Sequence, residues 1–166
     1  MTTFFEDIDT GVGPLRVGVD ENGRLVRTAF LDGRHKYDAA AEWKDAIPGS
    51  EAHAAATQLS EYFAGERRTF ELPLDFQGSA FQIKVWRALL EVPYGETASY
   101  GDIARRIDAP GKARAVGRAN GSNSIPVVVP CHRIIGSDHS LTGYGGGLHI
   151  KRYLLELEGA LTPQLI

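Results

Sequence analysis

Cysteine occurs once in this chain, at position 131, inside "VVVPCHRIIG", residues 127–136. A thiol followed directly by His132 and Arg133 has the parts for nucleophilic chemistry: the imidazole can take the thiol proton, and the guanidinium can favour the thiolate. The plainer reading is that a lone cysteine among valines and isoleucines is a small buried hydrophobe. Pro130 favours the chemical one, because it removes a backbone donor, fixes φ and puts the thiol at a turn or element start. Neighbouring residues rarely face each other in a regular element, so His132 would reach the sulfur through a water or across a turn. A base of this kind also needs an orienting partner. Glu158 is a candidate, four residues after Leu154 at the end of an apolar helical stripe, where a carboxylate is costly unless hydrogen-bonded. A frayed, exposed helix end is the alternative for it. One Cys and five His, without H-x₃-H or C-x₂-C spacing, do not make a zinc set, so no metal is expected.

The elements that must position these groups fall into two halves. Residues 1–75 carry eight Lys and Arg against 14 Asp and Glu, whereas residues 76–153 carry ten against five. Only the second half therefore has the balance for a polyanionic partner, with a solvated surface as the alternative. In the first half, "GPLRVGVDENGRLVRTAF" alternates around Asn22-Gly23, which predicts a hairpin with a type I′ turn. Residues 32–49 read as loop. Ser50 can cap a helix whose apolar positions run from Ala52 to Phe63, and "RTFELPLDF" returns to an extended pattern. The pattern changes near Gln77-Gly78. Ser79-Ala80-Phe81-Gln82 has the form of a capping box, opening a helix that stops at Pro93. Ser99 can cap a second helix, "YGDIARRI", and "KARAVGRAN" predicts a third after the "DAPG" break. The last two form a helix-turn-helix pattern, with Lys112, Arg114 and Arg118 on its second helix. The glycines of "LTGYGGG" allow either close approach to a ligand or a flexible turn, before a last helix, "HIKRYLLELEG".

At 166 residues, 43% hydrophobic and 23% charged, the composition is that of a soluble globular protein. The longest uncharged apolar run, 125–130, is too short to span a bilayer, and the acidic start is unlike a secretory signal. A single cysteine fits a reducing compartment, so a cytoplasmic location without membrane contact is expected.

Taken together, "VPCHRIIG", "PYGETASYGDIA", "ARAVGRANGSN" and "LTGYGGGLHIKRYLLELEG" closely resemble the O6-alkylguanine-DNA alkyltransferases, which move an alkyl group from guanine O6 in DNA to their own cysteine. The resemblance is continuous from about Phe81 to Gly159 and weaker before that. It implies an α+β protein: a small N-terminal α/β domain of ribonuclease H-like type over 1–77, then a mainly helical, winged-helix-like domain over 78–166. It makes Cys131 the nucleophile, deprotonated by His132 through a water, with Glu158 orienting the imidazole. Asn123 matches the asparagine that ties together the cysteine's turn, and Tyr100 the tyrosine that protonates the departing guanine. Tyr144 would form one wall of the base pocket, with the backbone around Cys131, Ile134, Gly145 and Gly146 on the base edge. Arg114 matches the arginine that fills the gap left by the extruded nucleotide, with Lys112, Ala115, Gly117 and Arg118 on the same DNA-facing helix.

The implied partner is double-stranded DNA containing O6-alkylguanine, bound through the minor groove by a protein monomeric in solution, with cooperativity along DNA left open. No cofactor is implied. O4-methylthymine is expected as a weaker substrate. Some members hold structural zinc in the N-terminal domain through two cysteines and two histidines. This chain has no second cysteine for such a site. Position 145 is Gly where some relatives carry Ser, which bears on tolerance for bulky O6 groups. The chemistry agrees with these roles: displacement at an sp³ carbon needs a thiolate, in-line placement and a proton for the leaving group, but no oxyanion hole. A thioether product has no hydrolytic route, so the protein would act once. A Cys-His hydrolase would turn over instead, and a binding module with an inert cysteine would not react at all.

Overall fold

The structure is a computed structural model that describes residues 2–32, 42–144 and 147–162. The chain divides into two compact units, Met1–Gln77 and Gly78–Ile166.

In the first unit, strands β1 (Thr2–Thr10), β2 (Gly13–Val19), β3 (Leu25–Phe30) and β4 (Glu42–Asp45) form a sheet of order β3-β2-β1-β4. The β1–β2 and β2–β3 pairs are antiparallel, and β4 runs parallel to β1. Alternation along β2 turns Leu15, Val17 and Val19 into the core, where Ala52, Ala55, Ala56, Leu59 and Tyr62 of α1 (Glu51–Phe63) meet the sheet. Ser50 takes the N-cap position of α1, but its side chain makes no capping bond.

Three local expectations change here. The β2–β3 connection is not a type I′ turn, because Gly23 has a positive φ and Asn22 does not. Instead the Asp20 carboxylate accepts from the backbone N–H groups of Asn22 and Arg24, and the register shifts at Gly18/Val19. The stretch read as loop over 32–49 contains β4, which adds to the sheet edge through backbone pairing that side-chain periodicity over four residues does not reveal. Among the described residues, 68–76 pair with the sheet as the isolated bridge Leu25–Leu74 rather than as a strand.

In the second unit, α2 (Ala80–Leu89) opens on a complete capping box between Ser79 and Gln82. Helix α3 (Tyr100–Arg106) does the same between Ser99 and Asp102. After a turn containing Asp108 and Gly111, both with positive φ, comes α4 (Ala113–Gly121). Helices α3 and α4 pack on each other and on α2, burying Val85, Trp86, Leu89, Ile103, Ala104, Val116 and Ala119. The Trp86 indole N–H donates to the Ala119 carbonyl at 2.8 Å, so its polar tip is satisfied inside the core.

Cys131–Arg133 form a single 3-10 turn, followed by β6 (Ile134–Ile135), which pairs in parallel with β5 (Ala98–Ser99). That two-residue ladder fixes the start of α3, and hence Tyr100, beside the strand leaving the cysteine turn. Helix α5 (Leu148–Leu157) closes the unit, with Ile150, Leu154 and Leu155 in the core. Among the described residues no helix is long and apolar enough to cross a membrane.

Candidate active site

The thiol is placed by strain and by amide bonds around it. Val127 has φ of 76°, a left-handed conformation that costs a β-branched residue and persists only where its surroundings impose it. Asn123 supplies part of that constraint: its amide N–H donates to the Val129 carbonyl, and its oxygen accepts from the Ile125 N–H, both at 2.9 Å. Asn120, on α4, donates to the carbonyl of Cys131 itself at 3.4 Å. Sequence reasoning had no role for Asn120. Its signal was a polar residue on the buried face of α4, next to Val116 and Ala119.

His132 and Glu158 come together. Both are buried, and the carboxylate accepts from His132 Nε2 at 2.8 Å. Glu158 is the C-cap residue of α5 and not a frayed end. It also accepts from Arg133 Nε at 2.8 Å and from Nη2 at 2.9 Å, a two-pronged guanidinium–carboxylate pair. Arg133 Nη1 donates onward to the Val92 carbonyl at 2.7 Å. The Gly95 N–H donates to Glu158 at 3.4 Å, and the Tyr94 hydroxyl donates to the Leu157 carbonyl at 3.3 Å. Gly95 has φ of 82°, and a Cβ there would stand 3.1 Å from the Glu158 carbonyl oxygen. The "PYG" turn is therefore the seat of the α5 terminus.

Burial alone would raise the Glu158 pKa, but the bonds from His132 and Arg133 hold it far below the usual carboxylate range. For His132 burial dominates and lowers the pKa despite the carboxylate beside it, so the ring is neutral at neutral pH. An ionised carboxylate can only accept, so Nε2 carries the ring proton and Nδ1 carries the lone pair. Nδ1 is enclosed and has no hydrogen-bond partner among the described residues. The ring is thus a base with its lone pair unengaged.

Burial also pushes the Cys131 thiol up to about 11, against the opposing pull of the Asn123 amide, of Lys151 and of local backbone N–H groups. The expectation that Arg133 supplies the charge favouring the thiolate is corrected: its guanidinium is held by Glu158, and the cation acting on the thiol is Lys151. That ammonium is fully buried and donates to the carbonyls of Ile134 and, at 2.8 Å, Thr142. Burial drops its pKa to about 8, with the thiol pulling the other way. A lysine inside the amphipathic pattern of α5 reads as a surface residue, which is why the sequence analysis passed over it.

Tyr100 opens α3 with its hydroxyl 2.6 Å from Thr142 Oγ1. The Tyr144 hydroxyl is enclosed and has no hydrogen-bond partner among the described residues; its pKa is raised by burial and, next, by Cys131. Ile134 is buried directly after the turn. Gly145 and Gly146, expected at the base edge, lie outside the described residues. Lys112, at the N-cap of α4, and Arg114 and Arg118, on the helix, are all exposed, and their side chains make no hydrogen bond or ion pair among the described residues. Ala115 and Gly117 lie between them, with Gly117 packed on the Tyr100 ring. Among the described residues, no three His, Cys, Asp or Glu side chains gather as metal ligands.

One unit thus brings together a buried thiol in a turn, a neutral imidazole braced by a carboxylate, and a helix-turn-helix with exposed cations. Comparison with known proteins gives the class. Residues 4–76 match the family model described as 6-O-methylguanine DNA methyltransferase, ribonuclease-like domain. Residues 80–160 match the DNA binding domain of the same family. The chain belongs to the 6-O-methylguanine DNA methyltransferase family. It is 47% identical over 159 residues to the methylated-DNA–protein-cysteine methyltransferase of Mycobacterium tuberculosis (strain H37Rv), covering 96% of this chain and 94% of that protein. The constitutive enzyme of that name from Bacillus subtilis is 43% identical, covering 93% and 94%. Among solved structures, Mycobacterium tuberculosis OGT in complex with DNA superposes with a TM-score of 0.83 at 46% identity, over 96% of this chain and 94% of that one.

Proposed function

We propose that this protein repairs O6-methylguanine in DNA by moving the methyl group irreversibly to Cys131. The observation that carries the reading is Cys131 beside a neutral His132 whose Nε2 is held by Glu158, in the unit that bears the helix-turn-helix. The protein is a methylated-DNA–protein-cysteine methyltransferase and acts on DNA. Its unpaired buried thiol suits the reducing cytoplasm.

The steps follow from the groups in place. DNA docks against α4 through the minor groove, with Lys112 and Arg118 on phosphate and Arg114 entering the stack as the lesion nucleotide swings out. Extrusion costs roughly a few kcal/mol, part of which the inserted side chain offsets. The base lies against Tyr144, with its edge on the backbone around Cys131, Ile134, Gly145 and Gly146. His132 Nδ1 takes the thiol proton through a water, and Lys151 stabilises the thiolate. A sulfur lone pair forms the S–C bond as the C–O6 bond breaks and its electron pair stays on guanine. Tyr100 protonates the departing base, and the proton held by the imidazole restores the phenol. The S-methyl thioether is final, so each molecule reacts once. O4-methylthymine presents the same O-methyl group on a smaller ring and is a weaker substrate. The protein binds as a monomer.

Intact mass before and after mixing with a methylated duplex tests the reading: a gain of about 14 Da, a methyl replacing hydrogen, is expected with no turnover. Cys131→Ser abolishes the gain while gel-shift affinity for the methylated duplex stays nearly unchanged. Catalytic turnover would identify a Cys-His hydrolase instead. A folded serine variant that no longer binds would refute the division between thiol and binding surface.

A further inference from the structure

The "LTGYGGG" segment contains a hydroxyl that the transfer reaction as described leaves without a role. Thr142 Oγ1 lies 2.6 Å from the Tyr100 hydroxyl across 42 residues of chain. The Thr142 carbonyl is itself held by Lys151 Nζ at 2.8 Å, and the same ammonium holds the Ile134 carbonyl, three residues after Cys131. Lys151 therefore bolts the segment bearing Thr142 to the strand that leaves the nucleophile turn. The Tyr100 ring is located independently, since a Cβ at Gly117 would stand 3.7 Å from its Cδ1 and Cε1 atoms. A tyrosine side chain has two torsions, and contacts at ring and hydroxyl settle both.

We propose that Thr142 is a positioning residue for alkyl transfer, its hydroxyl donating to Tyr100 so that the phenol proton is free to face the departing guanine. This rests on the reading of Tyr100 as the proton donor. The pair has two arrangements. If Tyr100 donates to Thr142, its only proton is engaged away from the base. If Thr142 donates, the phenol proton is free, and the threonine hydrogen bond strengthens as negative charge builds on the phenol oxygen. A bond to an ionising acceptor is roughly twice as strong as a neutral one, so the contribution is larger in the transition state than before it. The arrangement differs from a packing role in that the hydroxyl matters only while Tyr100 has one.

Single-turnover transfer to a methylated duplex at saturating protein tests this in a two-by-two set with Tyr100→Phe. Thr142→Val keeps the shape and removes the hydroxyl, and is expected to slow transfer about tenfold, the loss of one strengthened hydrogen bond. Thr142→Ser restores the rate to within about twofold of the parent, because the donor returns. On the Tyr100→Phe background, Thr142→Val adds less than about a twofold effect, as expected for two residues acting through one bond. Thr142→Ala repeats the comparison if valine prevents folding, judged by circular dichroism. Equal slowing on both backgrounds would overturn the proposal and make Thr142 a packing residue. So would a normal rate for Thr142→Val while Tyr100→Phe is slow, an outcome that leaves Tyr100 as proton donor. A normal rate for Tyr100→Phe itself would remove the donor reading and this inference with it.

Discussion

Replacing Glu158 with glutamine changes one oxygen for an NH₂ group and should disable the base while leaving the nucleophile in place. The carboxylate accepts from His132 Nε2, Arg133 Nε and Arg133 Nη2 at 2.8–2.9 Å. A glutamine has one acceptor oxygen for those three donors. With its oxygen on Arg133, its NH₂ faces His132, and the imidazole must then accept at Nε2 and carry its proton at Nδ1. That is the wrong tautomer for taking a proton from the thiol, as in the aspartate-to-asparagine change of serine protease triads. Loss of a positioned base costs about 10²–10⁴-fold in rate. Transfer would then depend on the small spontaneous thiolate fraction. With the thiol near 11, that fraction rises about tenfold per pH unit, so the variant should recover with rising pH, by at most about a hundredfold between pH 7 and pH 9, since Lys151 loses its charge near pH 8. The parent should not rise over the same range: burial holds the His132 pKa below its ordinary value, so the base is already neutral, and the Lys151 charge that favours the thiolate is lost as pH passes about 8. Stability moves too: one charge of a buried pair is lost while Arg133 stays charged, a cost of about 3–5 kcal/mol. The folded Glu158 pKa is depressed, so its contribution is complete above the ordinary carboxylate pKa of about 4.3 and is lost as pH falls below it. The variant should lack that acid-side decline. The assay is single-turnover transfer against pH at saturating protein, with melting over the acid range. A folded Glu158→Gln protein with the parent's rate and pH profile would refute the tautomer argument.

Arg114→Ala should slow repair of duplex DNA at saturating protein but hardly change transfer from free O6-benzylguanine, if that analogue is accepted, since a free base has no stack to leave. An unchanged saturated rate on duplex would reduce Arg114 to a phosphate contact, for which the salt slope should fall by about one unit instead. Lys151→Met should move the thiol pKa above its position near 11 and slow transfer, because the cation facing the thiolate is gone. Thiol alkylation by a small neutral reagent, followed against pH, measures the shift, and superimposable curves would exclude Lys151 from tuning the thiol.

Local signals in the sequence were enough for much of the architecture. The serines at 79 and 99 each stand three residues before a residue able to complete a capping box, and both boxes form, because capping is decided within one turn of chain. The alternation of Leu15, Val17 and Val19 placed β2 by the same local logic. "PCHR" marked Cys131 and His132 as candidates for thiol chemistry through residue type, and the resemblance gave them their roles. What the sequence could not supply were contacts between groups far apart in the chain. From its pattern alone Glu158 was legible only as a carboxylate of open setting; its partnership with His132 came from the resemblance. Its choice between a frayed end and a brace for His132 is made by the packing of α5 against the cysteine turn, 25 residues away. Arg133 looked like the thiol's counter-charge because it is near in sequence, yet the folded chain turns it to Glu158 and gives that place to Lys151. The β4 pairing, the Asn120 bond to Cys131 and the Tyr100–Thr142 bond belong to the same class. Periodicity and capping are properties of a few consecutive residues and can be read along a line. Desolvation, tautomer choice and the partner of a buried charge depend on what else fills the same small volume, and only the folded chain decides that.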